Sequence, residues 1–336
     1  MKISIALATY NGARFIREQL DSLAAQTLLP CELVVTDDGS TDDTLAIVAD
    51  FAAHAPFPVH IHRNTRRLNF ADNFLHAASL CKGDWIAFCD QDDVWLKDKL
   101  EHVSGLAHDD VSMIVHRVRI VDAQLQPISG AAIACRVRRG NGPHRLPPMG
   151  YFSGLCITFN ASLLGLLLQH PRFPDGNSPN YEAAHDRWVS TIADAVGCVR
   201  FINKPLVLYR QHGANACGAT TTGSLGVAIG RSSATGSSMY RQAAAFAQDY
   251  SECFERLASS PAGLPWRARL LDSAQRYRAT RDYLADRAAL YGASDFPARL
   301  WAWVKMCSTW SYRFNPVRTP LLAVAKDLHT VLFKAA

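Results

Sequence analysis

An α/β fold, with a mostly parallel, doubly wound sheet followed by a helical extension, is predicted by three observations. Over the first hundred residues, short β-type runs alternate with helix-periodic segments, the pattern of repeated β-α-β units. From Tyr240 onward the apolar residues recur at helical spacing. The length, 336 residues, is more than a single core usually fills, so two domains, or one domain with an extension, are expected.

The elements follow in order. "ISIALAT" (3–9) reads as a buried strand, and Phe15, Ile16, Leu20, Leu23 and Ala24 then recur at helical spacing. "ELVVTDD" (32–38) is a second strand. The helix after it has Ser40 or Thr41 as cap, with Asp42 and Asp43 complementing the dipole in its first turn. "VHIHR" (59–63) is a third strand, "FADNFLHAASL" (70–80) a third helix and "DWIAFCD" (84–90) a fourth strand, with a further helix starting near Leu96. Between 112 and 212 the pattern loosens. "SMIVHRVRIVD" is strand-like, "GNGPHRLPPMG" a loop, and "YFSGLCITFNASLLGLLL" a strand or turn running into a helix. "HDRWVSTIADAVG" (185–197) is a helix ended by glycine, and "CVRFINKPLVLYRQH" (198–212) gives strand, proline turn, strand. Gly, Ala, Ser and Thr are in excess over 213–239. The chain therefore divides into an α/β domain 1–215, a linker or lid 216–239 and a helical region 240–336.

A net charge of +5 attracts anionic ligands and membrane surfaces without marking a nucleic-acid binder. The nine cysteines are odd in number and scattered, with no C-x-x-C pair, which argues against a disulfide framework or zinc ribbon and fits a reducing cytoplasm. The N-terminal apolar run is too short for a signal peptide, and no apolar stretch reaches the ~18–20 residues of a membrane span. A soluble or peripheral protein is expected.

"FCDQDDVW" (88–95) carries three carboxylates in four positions at a strand end, and such a cluster calls for something positive to hold. Magnesium or manganese suits it: such ions take one or two carboxylates and draw their other ligands from substrate phosphates. An acidic turn capping the next helix is the plainer alternative. Ligands of doubly wound sheets sit beyond the carboxyl ends of the strands, where Asn11, Asp37, Asp38, Asp90, Asp92 and Asp93 all fall. His60 and His62 form an H-x-H without two further ligands and read as packing and surface.

Seven segments in order, "ATYNG" (8–12), "LDSLAAQT" (20–27), "VVTDDGSTDDT" (34–44), "FADNF" (70–74), "GDWIAFCDQDDVW" (83–95), "HDRWVS" (185–190) and "LVLYRQHGAN" (206–215), resemble the inverting family 2 glycosyltransferases of the GT-A fold. More narrowly, they resemble the rhamnosyltransferase-like branch. One departure is Asn69, where that branch has the glycine of an Asn-Leu-Gly.

The resemblance implies a metal-dependent transfer from a nucleoside diphosphate sugar to a saccharide, such as a lipid-linked surface glycan under assembly. The best single donor is dTDP-rhamnose, followed by a UDP-hexose. Asp38 would accept the imide N–H of a uracil or thymine base, with Thr9 and Asn11 along the nucleoside and Asp90 on the ribose or sugar. Asp92 would bind the metal, with Asp93 behind it, and His212 would close the metal or diphosphate site. Arg67, with Arg63 and Arg66, lies where phosphates would pass. Asp186 would be the general base, with His185 in place of the commoner Glu. Gly154, Ser153 and Trp188 would line the acceptor and sugar pocket. Each role has a structural competitor: an Asx-turn for Asp37 and Asp38, a helix cap for Asp186 and core packing for Trp188.

A sugar-nucleotide pyrophosphorylase would need a glycine-rich loop that "TYNGARF" does not offer, and a Rossmann oxidoreductase would need G-x-G-x-x-G. A catalytically silent nucleotide-sugar scaffold would be favoured by loss of Asp92, Asp186 or His212, all of which are present. In the last segment, 296–336, Trp301, Trp303 and Trp310 stand beside Arg299, Lys305 and Arg313. This composition suits a helix in a membrane interface and equally one packed on a protein surface.

Overall fold

A computed structural model describes residues 1–128, 137–138, 140–174, 182–213, 236–315 and 320–333. The chain forms two compact units: Met1–Arg145 with Tyr151–His170 and Ala184–Thr222, and Leu146–Gly150 with Pro171–Ala183 and Gly223–Ala336. The division expected from the sequence is linear, whereas two inner segments, 146–150 and 171–183, belong with the helical unit. Most of the expected linker lies outside the described residues, and a helix already begins at Ser237.

The first unit is built on a mixed sheet. Its strands are β1 (Ile3–Thr9), β2 (Glu32–Asp37), β3 (Val59–Arg63), β4 (Trp85–Cys89), β5 (Val94–Trp95), β6 (Val111–Val121), β7 (Ile157–Asn160) and β8 (Cys198–Arg210), in the spatial order β3-β2-β1-β4-β7-β6-β8-β5. The strands β3, β2, β1 and β4 are parallel, with Thr9 opposite Asp37 and Leu7 opposite Cys89. That register brings the carboxyl ends of β1, β2 and β4 to one edge. Buried on both faces, these strands read as continuous apolar runs: Ile5, Leu7, Leu33, Val35, Ile86 and Phe88 are all in the core. Edge strand β3 is mostly exposed, and His60 Nε2 there lies 3.5 Å from the Glu32 carboxylate, the surface role expected of the H-x-H.

Helices α1 (Ile16–Ala24), α2 (Thr44–Ala52) and α3 (Phe70–Leu80) follow the first three strands. Their buried residues repeat at three- and four-residue intervals, as Ile16, Leu20 and Leu23 do in α1. The expected cap of α2 shifts: Ser40 is engaged by Asp37, and Asp42 Oδ1 accepts from Thr44 N instead. Asn69 stands at φ +71, a conformation that glycine adopts freely, and it earns its place as the N-cap of α3, with Oδ1 accepting from Ala71 N at 3.0 Å.

Two further expectations are corrected, and a third is borne out in finer detail. The helix after the acidic cluster, α4 (Lys99–Ser104), opens later than Leu96 and is separated from the carboxylates by β5, so they do not cap it. The strand, proline turn and strand at 198–212 are one strand, β8; Pro205, lacking an N–H, sits where the register against β6 slips between His116 and Arg117. The segment 151–168 becomes a 3-10 turn (Gly154–Cys156), β7, a second 3-10 turn (Ala161–Leu163) and the short α5 (Leu164–Leu167). Then α6 (His185–Val196) follows.

The second unit contains α7 (Ser237–Ser259), α8 (Arg267–Gly292), α9 (Phe296–Ser308) and α10 (Pro320–Phe333). Its core joins Tyr240, Tyr283, Leu284, Met306 and Val331 around a buried charge. Asp327 is fully buried, paired with Arg287, and accepts from Tyr291 OH (2.9 Å) and Tyr312 OH (3.0 Å). The hydrogen bonds to both carboxylate oxygens help to make such a buried ion pair tolerable. No helix among the described residues is long and apolar enough to cross a membrane.

Candidate functional site

A cleft of about 490 Å³ opens in the first unit at the carboxyl edge of β1, β2 and β4. Of the side chains singled out from the sequence, Thr9, Asp38, Arg67, Asp90, Asp92, Ser153, Gly154 and Asp186 all line it. Residues distant in sequence meet there because parallel strands in register end side by side.

The two aspartates that end β2 part company. Asp37 is fully buried and forms an Asx-turn, accepting from Gly39 N (3.1 Å), Ser40 N (2.8 Å) and Thr9 Oγ1 (2.9 Å). Asp38 faces the cleft instead. Its Oδ1 accepts from Leu68 N (2.6 Å) and Asn64 Nδ2 (3.1 Å), and its Oδ2 accepts from Asn69 N (3.0 Å). A carboxylate has about four acceptor sites, so one remains on Oδ2. Arg67 lies with its guanidinium 4.1 Å from the Tyr10 ring centroid, a cation–π contact at the cleft wall.

The acidic turn after β4 is held from three sides. Gln91 spans to β1, with Oε1 accepting from Tyr10 N and Nε2 donating to Tyr10 O, both at 3.0 Å. A Cβ at Gly12 would stand 2.3 Å from Gln91 Oε1, so a larger residue there would displace the Gln91 side chain from Tyr10. Arg210, almost fully buried at the end of β8, donates from its backbone N to Asp93 Oδ1 (2.9 Å), from Nε to Asp92 O (2.8 Å) and from Nη2 to Glu18 Oε2 (2.7 Å). Two residues on, His212 brings Nε2 to 2.8 Å from Asp92 Oδ2, and its ring packs 4.7 Å from that of Phe15.

Burial, aided by the negative charges of Asp92 and Asp186, pushes Asp90 up to about 7. Burial also drives the fully enclosed Asp93 well above the ordinary carboxylate range, against the hydrogen bond from Arg210 N. Beneath the turn, Lys99 is fully buried, with Nζ donating to Leu155 O at 3.1 Å and lying 3.4 Å from the Trp95 ring centroid. Burial pulls it down to about 8, while the charges around it work the other way.

Opposite, Asp186 lies in the first turn of α6. The N-cap is Ala184, not Asp186, whose Oδ1 accepts the first-turn N–H of Arg187 at 2.6 Å. His185 before it is buried, stacked on Phe74 at 4.1 Å and edge-on to Phe88 at 4.9 Å. Gly154 abuts this ring, and a Cβ there would stand 2.5 Å from His185 Nε2. Gly154→Ala should therefore lower stability by about 1–3 kcal/mol, the usual cost of overpacking. Urea unfolding measures it, and an unchanged midpoint would mean that the imidazole has room to retreat.

Two expectations fail. Trp188 does not line the cleft: it is fully buried, and its Nε1 donates to Leu167 O at 2.9 Å, because two residues along a helix turn a side chain from the Asp186 face to the core. Asn11 also falls outside the lining. It turns away at φ +48, and its Oδ1 accepts from Thr41 N at 2.9 Å. Conversely, Tyr10, Gln91, Lys99 and Arg210 were not singled out, although "YRQH" and "DQDD" contained two of them. Among the described residues no three His, Cys, Asp or Glu side chains gather tightly enough to hold an ion alone.

Residues 4–153 match the family model "Glycosyl transferase family 2". An uncharacterized glycosyltransferase of Nostoc sp. is 33% identical over 134 residues, covering 39% of this chain and 41% of that protein. The dTDP-rhamnosyl transferase RfbG of Shigella flexneri is 37% identical over 100 residues, covering 29% and 35%. The chain thus spans about two fifths of the length of these curated relatives. Among solved structures, S. aureus TarS 1–349 in complex with UDP-GlcNAc superposes with a TM-score of 0.54 at 16% identity, covering 94% of this chain and 90% of that one, a likeness of fold. Residues 4–153 are thus similar to glycosyl transferase family 2, and the fold of the chain is that of the GT-A glycosyltransferases.

Proposed function

We propose that this chain is a metal-dependent, inverting glycosyltransferase that moves L-rhamnose from dTDP-rhamnose to a saccharide acceptor in the assembly of a cell-surface polysaccharide. One observation carries the reading: Asp38, Asp92 and Asp186 all line one cleft in the first unit, and His212, outside the lining, brings Nε2 to 2.8 Å from Asp92 Oδ2. The remaining acceptor site on Asp38 suits the imide N–H of thymine or uracil, Thr9 sits beside it, and Arg67 offers its guanidinium to phosphate oxygens. Asp92 and His212 form an incomplete oxygen and nitrogen set, of the kind that a magnesium or manganese ion completes with substrate phosphates, and Asp90 beside them suits the ribose or sugar. When bound, that ion would stabilise negative charge on the departing nucleoside diphosphate.

Transfer then asks two things of the chain. Asp186 takes the proton of the attacking acceptor hydroxyl as its oxygen bonds to the anomeric carbon. The bond from that carbon to the diphosphate oxygen breaks with its electron pair on the phosphate. Attack opposite the leaving group inverts the anomeric centre. Ser153 and Gly154 form the wall on which the sugar or acceptor would rest.

The name of the Shigella relative supports dTDP-rhamnose as the donor. Free thiols at all the cysteines among the described residues support a reducing, cytoplasmic setting. A donor screen reading nucleoside diphosphate release tests the proposal, with dTDP-rhamnose and UDP-hexoses offered with and without manganese. Turnover with dTDP-rhamnose that needs the cation is expected. A preference for a UDP-hexose would correct the donor, and full turnover in a chelator would remove the metal.

A further inference from the structure

We infer that the outward faces of α9 and α10 form a docking surface for a phospholipid bilayer bearing anionic headgroups. Helices at a protein surface ordinarily turn their polar arc to water; these two do the reverse. In α9 the inner arc carries the buried Arg299 and Met306, and the outer arc exposes Phe296, Leu300, Trp301 and Val304. In α10 Ala323, Asp327 and Val331 face inward, while Leu321, Leu322, Leu332 and Phe333 face solvent, Leu321 being 83% exposed. The two helices meet through their inner sides, where Trp303 Nε1 reaches Val324 O at 3.4 Å.

Three features favour lipid over a second copy of the chain. Trp301 (71% exposed) and Trp310 (77% exposed) present indoles, which suit the boundary between headgroups and acyl chains. Charge is one-sided: from 296 to 333 the sequence has five Lys and Arg against one acid, Asp327, and that acid is buried and paired with Arg287. The outer faces of the two helices themselves carry no carboxylate, the exposed Asp295 capping the start of α9 being the nearest, and exposed Arg313 adds attraction. No helix among the described residues is long and apolar enough to span, so the contact is one of lying on the membrane.

The inference extends the proposed function, since a lipid-linked acceptor is met at such a surface, but it stands apart from the donor, metal and base. The test is co-sedimentation of the full chain with phosphatidylcholine vesicles, with and without phosphatidylglycerol. Binding that rises with the anionic lipid is expected. The double variant Trp301→Glu, Leu322→Glu should lose about tenfold or more of it, with an unchanged circular dichroism spectrum and undiminished hydrolysis of the donor. In the unaltered chain, lipids brominated on their acyl chains should quench tryptophan fluorescence. Absence of binding and quenching overturns the inference, as does a double variant that binds as before. A dimer in size-exclusion chromatography that the double variant dissolves, without vesicle binding, would assign the faces to a second copy. Failure of the donor screen would leave the vesicle result intact.

Discussion

Asp186→Asn is expected to lower sugar transfer by about 10²–10⁴-fold, the range that a positioned general base contributes. Asparagine keeps the size of the side chain and an oxygen for Arg187 N, so the start of α6 is preserved. What it cannot do is take the proton of the acceptor hydroxyl. Donor binding, measured by calorimetry without acceptor, should change little, because Asp38, Arg67, Asp92 and His212 are untouched. The variant carries its own internal control: the Asp186 charge helps to hold Asp90 high, so removing it lets Asp90 fall toward the ordinary carboxylate range. A shift in that titration with full retention of turnover would show that the substitution reached the cleft and that Asp186 is not the base.

Asp92→Ala should weaken donor binding and turnover together, by about a hundredfold or more in kcat/KM, since losing even an outer-shell partner of a metal site costs 10–100-fold. The substitution removes the carboxylate that faces His212 Nε2 and leaves the imidazole without that partner at the mouth of the site. A pH signature distinguishes this from mere loss of structure. With Asp90 at about 7, the folded, cation-free protein holds a proton that the unfolded chain has already released. Stability therefore falls as pH rises from the ordinary carboxylate range through about 7. A divalent cation competes with that proton, so manganese should bind more tightly, and stabilise more, at pH 8 than at pH 5. Thermal unfolding at both pH values with and without manganese measures this. Equal shifts at the two values, or the same response in Asp92→Ala, would place the ion elsewhere.

The electrostatics explain why the acidic turn is both costly and well anchored. Asp90, Asp92 and Asp93 cannot all be ionised without opposing charge, and the protein answers with Lys99 below and Arg210 behind. Arg210 fixes the turn through its backbone N–H and its guanidinium, and Gln91 ties the same turn to β1. The carboxylates that face the cleft are thereby held in one arrangement before any ligand arrives.

Much of this was legible in the chain itself. The bounds of β1 and α3 coincide with the apolar run and helical spacing that announced them, because burial on a parallel sheet imposes a pattern on nearly every position. Asp38 and Asp90 were traceable for a related reason: a β-α-β repeat sends the ends of its strands to one edge. The sheet also explains why Asp37 and Asp38 differ, though neighbours. Adjacent side chains at a strand end point to opposite sides, one into a turn and one into the cleft, and only coordinates tell which.

What lay beyond the sequence has the same origin in each case: direction and company in space. Trp188 belongs to the core and Asn11 to a turn because a rotation of the backbone decides where a side chain goes. Arg210 and Gln91 matter through partners that are, for Arg210, more than a hundred residues away in the chain. By itself the sequence determined the alternation of strands and helices, the edge where chemistry gathers and the likeness to family 2 glycosyltransferases, since local periodicity and short motifs carry these. The tertiary structure alone decided which carboxylates share the cleft, which cations hold them, and which faces of the last helices are left to solvent, since those depend on packing among distant residues that no local pattern encodes.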